Sequence, residues 1–330
     1  MMDEMIAAFP GQLKEALNIG EKADISAPPQ SIENILICGM GGSGIGGDFI
    51  KNWLKRESAL PINVNKDYTI PAFADKHTLA IVSSYSGNTE ETIAALESLY
   101  NKDAQIVAIS SGGELIKQAK EKQFEYIKLP GDWESPRACL GYSIVQQLTV
   151  LHKKGVISAF FKEQLQNATQ LLRDDQEAIR EKAEHIARML SNRRPVLYAA
   201  NIMEAVVLRW RQQFNENAKM MCWHNVYPEL NHNELVAWKG EHNQIAVVAL
   251  RNRNDHARTQ MRMNISKEIM SHAASTYMEI WSKGKSLIEQ SLYLIHLGDW
   301  VSWYLAEIRG EDAVEVKVID YLKSELEKLK

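Results

Sequence analysis

Residues 34–38, 79–82 and 105–109 read NILIC, LAIV and QIVAI, almost wholly apolar and without period-two alternation. Runs of this kind predict strands buried on both faces, as in a parallel sheet under helices. Residues 61–67 and 126–129 add two weaker strands. Helical patterns fill the intervals: a modest amphipathic stretch over 5–16 interrupted by Pro10 and Gly11, a helix through Phe49 and Trp53, another from Glu90, then 114–122 and 138–152. An irregular loop, PGDWESPR, occupies 130–137. Residues 160–191 have almost no strand character. There Leu165, Ala168, Leu171, Leu172, Ile179, Ala183, Ile186 and Met189 recur at helical spacing between charges, which predicts one long helix or two shorter ones. A second α/β alternation follows, with strands at 195–200, 245–250 and 275–280 and helices at 203–216, 264–272 and 286–308. Alternating strand–helix units imply parallel sheets covered on both faces, an α/β fold.

Composition narrows the class. The 330 residues suffice for two domains, and 45% hydrophobic with 24% charged residues describes a globular chain. A net charge of −4 gives no broad positive field, so neither nucleic acid nor anionic lipid is expected as a partner. Cys38, Cys139 and Cys222 are far apart and lack CxxC spacing, which fits reduced thiols in a cytoplasmic protein and neither zinc nor disulfides. The opening MMDEMIAAFPGQLKEAL is acidic without an apolar core, so no signal peptide is expected. No run approaches the ~20 apolar residues of a membrane span.

Two loops carry candidate chemistry. After the strand 79–82 come Ser83, Ser84, Ser86, Gly87, Asn88 and Thr89, then the helix formers from Glu90. Hydroxyls and free N–H groups at a helix N-terminus favour an anion. One cap needs one hydroxyl, and four crowd the stretch 83–89. No lysine lies there, so a nucleotide-triphosphate P-loop is not supported, whereas a small phosphate monoester suits it. After the strand 34–38 comes GMGGSGIGGD, which contains GxGxxG at Gly39, Gly41 and Gly44. Dinucleotide binding is the obvious competitor, with Asp67 as an unspecific ribose ligand. The hydroxyl-rich loop, which that fold does not require, tips the reading toward Gly42 and Ser43 as a second wall of a sugar-phosphate pocket. The second half has neither loop, so one phosphate per chain is expected.

The residues SYSGNTEET at 84–92 resemble the phosphate loop of sugar isomerase (SIS) domains, and are similar more narrowly to bifunctional phosphoglucose/phosphomannose isomerases. The resemblance extends through GMGGSGIGGD, ESPRA and NENAK…NHN and weakens at VIDYLK. It implies two SIS-type domains, each a mainly parallel sheet flanked by helices: residues 1–155 with the phosphate loops, a helical linker at 156–192, and 193–330. It also implies a cytoplasmic, metal-independent aldose–ketose isomerase of hexose 6-phosphates, without cofactor. Such an enzyme needs a carboxylate to move a proton between C1 and C2, a positive group for the enediolate, and an acid/base to open the ring.

Composition alone leaves Glu216, Glu229 and Glu234 open as the base. The family's helix-end glutamate precedes a histidine by 16 positions, the spacing of Glu216 and His232. By resemblance, then, Glu216 transfers the proton, His232 opens the ring from a partner subunit of a homodimer, Arg137 stabilises the enediolate and Lys323 reaches the ring oxygen. Ser84, Ser86, Thr89, Gly42 and Ser43 would hold the phosphate. His232 lies in a polar stretch that is poor core material, while His224 has apolar neighbours and reads as packed. Pro136 restrains Arg137, whose charge survives dehydration. Residues 311–315 lack the proline and threonine common in the family, the threonine having been linked there to acceptance of mannose. The alternative, a non-catalytic SIS module that senses sugar phosphates, would need an output domain, and no basic helix-turn-helix region is present.

Overall fold

A computed structural model describes residues 1–328. Its first part comprises α1 (Met2–Ala7), α2 (Phe9–Lys22), β1 (Asn34–Cys38), α3 (Gly41–Leu54), β2 (Ile62–Asn65), β3 (Thr78–Ser83) and α4 (Glu90–Tyr100). Next come β4 (Gln105–Ser110), α5 (Gly113–Glu121), β5 (Glu125–Lys128), a 3-10 turn at Pro136–Cys139, α6 (Leu140–Lys153), α7 (Phe160–Asp174) and α8 (Gln176–Leu190). The remainder holds β6 (Arg194–Ala200), α9 (Glu204–Glu216), β7 (Trp223–Tyr227), β8 (His242–Arg251), α10 (Ala257–Ala273), β9 (Ala274–Trp281), α11 (Leu287–Arg309) and α12 (Lys317–Glu327). Two compact units result: Ala7–Asp174 with Gly284–Leu292, and Asp175–Lys283 with Met1–Ile6 and the chain from Tyr293. No helix among the described residues is long and apolar enough to cross a membrane.

The first unit is built on a five-stranded sheet in the order β2-β1-β3-β4-β5, every pair parallel. All six residues of β3 are buried, as its unbroken apolar run requires. Leu36, Cys38, Ala80 and Val82 face Ala95, Leu96, Leu99 and Leu115 of α4 and α5. On the opposite face Gly47 of α3 brings the helix against Ile37 and Val64, where a Cβ would stand 2.9 Å from Ile37. Pro10 does not interrupt a helix but opens α2 within its first turn. The first N–H groups of a helix have no intrahelical partner, so proline costs nothing there.

The second unit carries a four-stranded parallel sheet in the order β7-β6-β8-β9. Strand β7 was not expected from the sequence. It is an edge strand, WHNVY, with only Val226 and Tyr227 buried, so the apolar run that marks an inner strand is missing. Helix α10 likewise starts before the expected residue 264, through the polar ARTQ. Val196, Tyr198, Tyr227, Val247, Met263 and Met270 form one core.

Helix α9 is locked onto α11. Arg209 donates to both carboxylate oxygens of Asp299 at 3.1 and 3.0 Å, and both residues are buried. Trp210 donates to the Leu294 carbonyl at 2.8 Å and fills a notch left by Gly298, where a Cβ would lie 2.2 Å from its indole nitrogen. Asn217, fully buried, donates to Ser302 at 2.9 Å. Breaking a buried pair from one side strands a charge, whereas replacing both partners does not. Asp299→Ala should therefore lose about 3–5 kcal/mol in urea denaturation, and Arg209→Met/Asp299→Leu distinctly less.

Candidate active site

Helix α3 carries the chain from β1 outward to β2, whereas α4 carries it from β3 the other way to β4. A crevice therefore opens beyond the carboxyl ends of β1 and β3, the place where open α/β sheets bind ligands. The residues that reach it begin both helices. Neither α3 nor α4 has a side-chain cap; in α3 the Ser43 N–H bonds the Met40 carbonyl at 3.0 Å, and the N–H groups of Gly41 and Gly42, like those that open α4, lie at the helix end that favours an anion. Thr89 holds the N-cap position of α4, yet its hydroxyl lies 2.8 Å from that of Ser84 instead of capping the helix. Helix capping therefore does not account for the Thr89 hydroxyl.

Ser84 is buried and faces inward, accepting from the Gly87 N–H at 3.1 Å while it bridges to Thr89. Ser86 is exposed, and its hydroxyl accepts from the Asn88 N–H at 3.3 Å. Gly87 has φ +75°, and a Cβ on it would stand 1.9 Å from the Gly112 carbonyl. Only glycine fits there. Loop 110–113 therefore supports the hydroxyl loop from behind. Ser111 Oγ donates to the Tyr85 carbonyl at 2.6 Å, and Asn88 Oδ1 accepts from the Glu114 N–H at 2.9 Å, capping α5. These supporting roles of Ser111 and Asn88 escaped sequence reading. The SSGG that ends β4 was the available signal.

The glycine-rich turn meets the same crevice. A Cβ on Gly39 would lie 2.7 Å from the Ser83 carbonyl, so the two loops touch. Ser43, buried in the first turn of α3, is braced by Gln147, whose amide donates to the Ser43 carbonyl at 3.3 Å. Gly42 packs under Arg137, with its Cβ position 3.8 Å from the arginine Cα. Arg137 is itself buried in the turn Pro136–Cys139. The first unit thus gathers Gly42, Ser43, Ser84, Ser86, Thr89 and Arg137 on adjoining loops.

Glu216, His232 and Lys323 belong to the second unit, where Glu216 and His232 stand apart. Glu216 ends α9, half-buried. His232 is exposed in the 3-10 turn Glu229–His232 that follows β7. Because β6 and β7 are parallel, α9 must return the chain from the carboxyl edge of the sheet to its amino edge. Its 13 residues rise about 20 Å, so Glu216 and His232 stand at opposite edges. Lys323 lies on α12, where none of the side chains is buried. The other candidate bases have structural work. Glu234 accepts from Trp223 at 2.9 Å, from Asn225 at 2.6 Å and from Tyr198, and Glu229 accepts from Asn233 at 2.8 Å. Among the described residues no three His, Cys, Asp or Glu side chains cluster as a metal ion would need.

A hydroxyl loop at the switch point of one parallel sheet, with a second parallel sheet that lacks it, defines a double SIS-domain protein of the phosphosugar class. Residues 30–152 match the SIS domain family, and residues 179–326 match the bacterial phospho-glucose isomerase C-terminal SIS domain. The bifunctional phosphoglucose/phosphomannose isomerase of Caldicellulosiruptor bescii is 35% identical over the whole of both chains. Its counterpart from Aquifex aeolicus is 36% identical, over 93% of this chain and 95% of the relative. The chain belongs to the bifunctional phosphoglucose/phosphomannose isomerase family. In fold it is also similar to the C-terminal domain of glucosamine-fructose-6-phosphate aminotransferase from Francisella tularensis, at a TM-score of 0.73 and 13% identity over 94% of this chain and 97% of that one.

Two predictions follow from this geometry. Ser86→Ala should weaken binding of inorganic phosphate by about tenfold or more, the worth of one hydrogen bond to a charged group, with an unchanged melting temperature. Calorimetric titration measures the first and thermal denaturation the second. The other prediction concerns acid. Burial, aided by Arg211, pushes His224 down to about 4, and burial pushes His296 down to about 3. Both bind protons more readily when unfolded, so stability present above pH ~6.5 is lost as pH falls through these values. The urea midpoint should decline from pH ~6.5 toward 4, and His224→Gln should make that decline shallower.

Proposed function

We propose that this chain interconverts glucose 6-phosphate and mannose 6-phosphate with fructose 6-phosphate. The observation that carries the reading is the pair of uncapped helix N-termini with clustered hydroxyls at the β1/β3 crevice, in a chain related over its full length to isomerases of these sugars. In this reading the phosphate rests on Gly42, Ser43, Ser84, Ser86 and Thr89, with Ser86 the exposed hydroxyl. Arg137 faces the enediolate oxygens as a permanent cation. Glu216 takes the proton from C2 of the aldose and returns it to C1 of the enediolate, which yields the ketose. Rotation about C2–C3 lets the same carboxylate serve both C2 epimers. His232 opens the ring, and Lys323 reaches the ring oxygen.

A homodimer with shared sites completes the proposal. Two observations support it: Glu216 and His232 stand at opposite sheet edges within one chain, and α12 leaves Val318, Tyr321 and Leu322 exposed. The enzyme works in the cytoplasm and requires neither cofactor nor metal.

The test is a coupled assay with the three sugar phosphates in the presence of EDTA. Glu216→Gln should retain sugar-phosphate binding and lose turnover of glucose and mannose phosphates together. Retention of one activity would mean two bases and defeat the mechanism. His232→Ala should recover in part when open-chain sugar is supplied. Mixed with Glu216→Gln chains under proven subunit exchange, it should regenerate activity in hybrid dimers. Absence of recovery would assign both residues to one chain's own site.

A further inference from the structure

Lys219 has no part in the chemistry above, yet its position is unusual. It follows α9 in the left-handed conformation, φ +50°, where glycine is the common choice. Its ammonium donates to the carbonyls of Glu216 at 2.9 Å, Asp312 at 2.5 Å and Glu315 at 2.9 Å, with that of Asn217 farther off at 3.5 Å. An ammonium has three donors, and here the three short bonds go to main-chain oxygens of two separate segments. One segment is the C-terminus of α9. The other is the connection between α11 and α12.

Simple capping of α9 would account for the bond to Glu216 and for nothing beyond it. Moreover, the neighbouring carbonyl of Ala218 is already taken by Arg309 Nε at 3.0 Å, so the negative end of the α9 dipole has a second cation. The bonds to Asp312 and Glu315 join that stretch to the end of α9, and Ala313 between them is buried. Val314 and Glu315 N–H groups also bond the Asp312 carboxylate at 2.8 and 3.4 Å, which shapes that stretch locally. Beyond it, α12 buries no side chain.

We propose that Lys219 is a positioning residue whose ammonium fastens residues 312–315 to the end of α9. It thereby fixes the Glu216 carboxylate and the start of α12 relative to each other. The positioning of Glu216 rests on the reading of that residue as the base, whereas the tether itself does not. The ammonium serves as a built-in monovalent cation in a shell of carbonyl oxygens.

The experiment compares the full-length wild type, Lys219→Met and Lys219→Ala by amide hydrogen exchange and by steady-state kinetics. In Lys219→Met, amides of 313–327 should exchange about tenfold faster or more, while those of β6 and β8 keep wild-type rates. The kcat should fall by about tenfold or more with KM within about twofold, the signature of lost positioning without lost binding. In Lys219→Ala, n-propylammonium replaces the atoms removed and should restore both quantities, whereas tetramethylammonium at equal concentration should not. Should Lys219→Met fail to fold, Lys219→Arg keeps the charge at the helix end. Its planar fork should lose the bonds to Asp312 and Glu315, with the same effects on exchange and kcat.

Unchanged exchange in 313–327 would overturn the tether, as would equal acceleration through β6 and β8 or equal rescue by both cations. Unchanged kcat in an active variant whose exchange is faster would overturn the positioning of Glu216. A wild type inactive on all three sugar phosphates would instead refute the proposed function, and the exchange data would still decide the tether.

Discussion

A phosphate monoester brings up to two negative charges to a chain that already carries a net −4. In the proposed site, backbone dipoles answer that constraint. At the β1/β3 crevice two helices begin without side-chain caps, and their leading N–H groups supply partial positive charge at fixed positions. Nothing in loop 83–89 is cationic. An anion held by oriented amides and hydroxyls binds more weakly than one clamped by lysine or arginine, and it leaves more readily. A buried cation, Arg137, stands on the neighbouring turn instead. Packing at that crevice is correspondingly tight, since Gly39, Gly42 and Gly87 each sit where a side chain would meet the next loop. Of the glycines that resemble a dinucleotide fingerprint, Gly39 serves this close approach, Gly44 packs on the Gly39 carbonyl of its own turn, and Gly41 takes φ +48° with open space around it.

What the sequence made legible follows burial. β1, β3, β4, β6 and β8 are covered on both faces, and their apolar runs announce them. β7 is an edge strand in which Trp223 is exposed and His224 and Asn225 are only partly covered, and no periodicity marks it. Pro10 reads as a break until its place in the first turn of α2 is known. In the site, the hydroxyl cluster was visible but its internal division was not. A spacing of five residues gives no hint that Ser84 and Thr89 bond to each other and leave Ser86 outward. Among the acidic candidates, composition ranked Glu216, Glu229 and Glu234 equally. Three donors converging on Glu234 give it structural work, and that convergence is a tertiary fact.

The second sheet obeys the same winding rules without a phosphate loop, and its functional candidates stand elsewhere: at the end of α9, in the turn after β7 and on α12. Parallel pairing of β6 and β7 obliges their connecting helix to cross the full height of the sheet. Sixteen positions in sequence therefore become two opposite edges in space. The motif NENAK…NHN is compact on paper and split in the fold, which is why spacing alone misleads about whether its glutamate and histidine serve one sugar.

The candidate groups also differ in how firmly they are mounted. Glu216 ends a helix held by the buried Arg209–Asp299 pair, by Trp210 seated over Gly298, and by Asn217 bonded to Ser302. Proton transfer between adjacent carbons tolerates little displacement, and such a mount suits it. His232 and Lys323 are exposed, the latter on a helix with no buried side chain. Groups that open a ring can act on a substrate before the transferring carboxylate is engaged, so looser support costs them less. The rigid side of this arrangement is built by interactions in the second unit's interior, where sequence patterns are strong. The looser side lies on surfaces that a single chain leaves uncovered, α12 with its exposed Val318, Tyr321 and Leu322 among them.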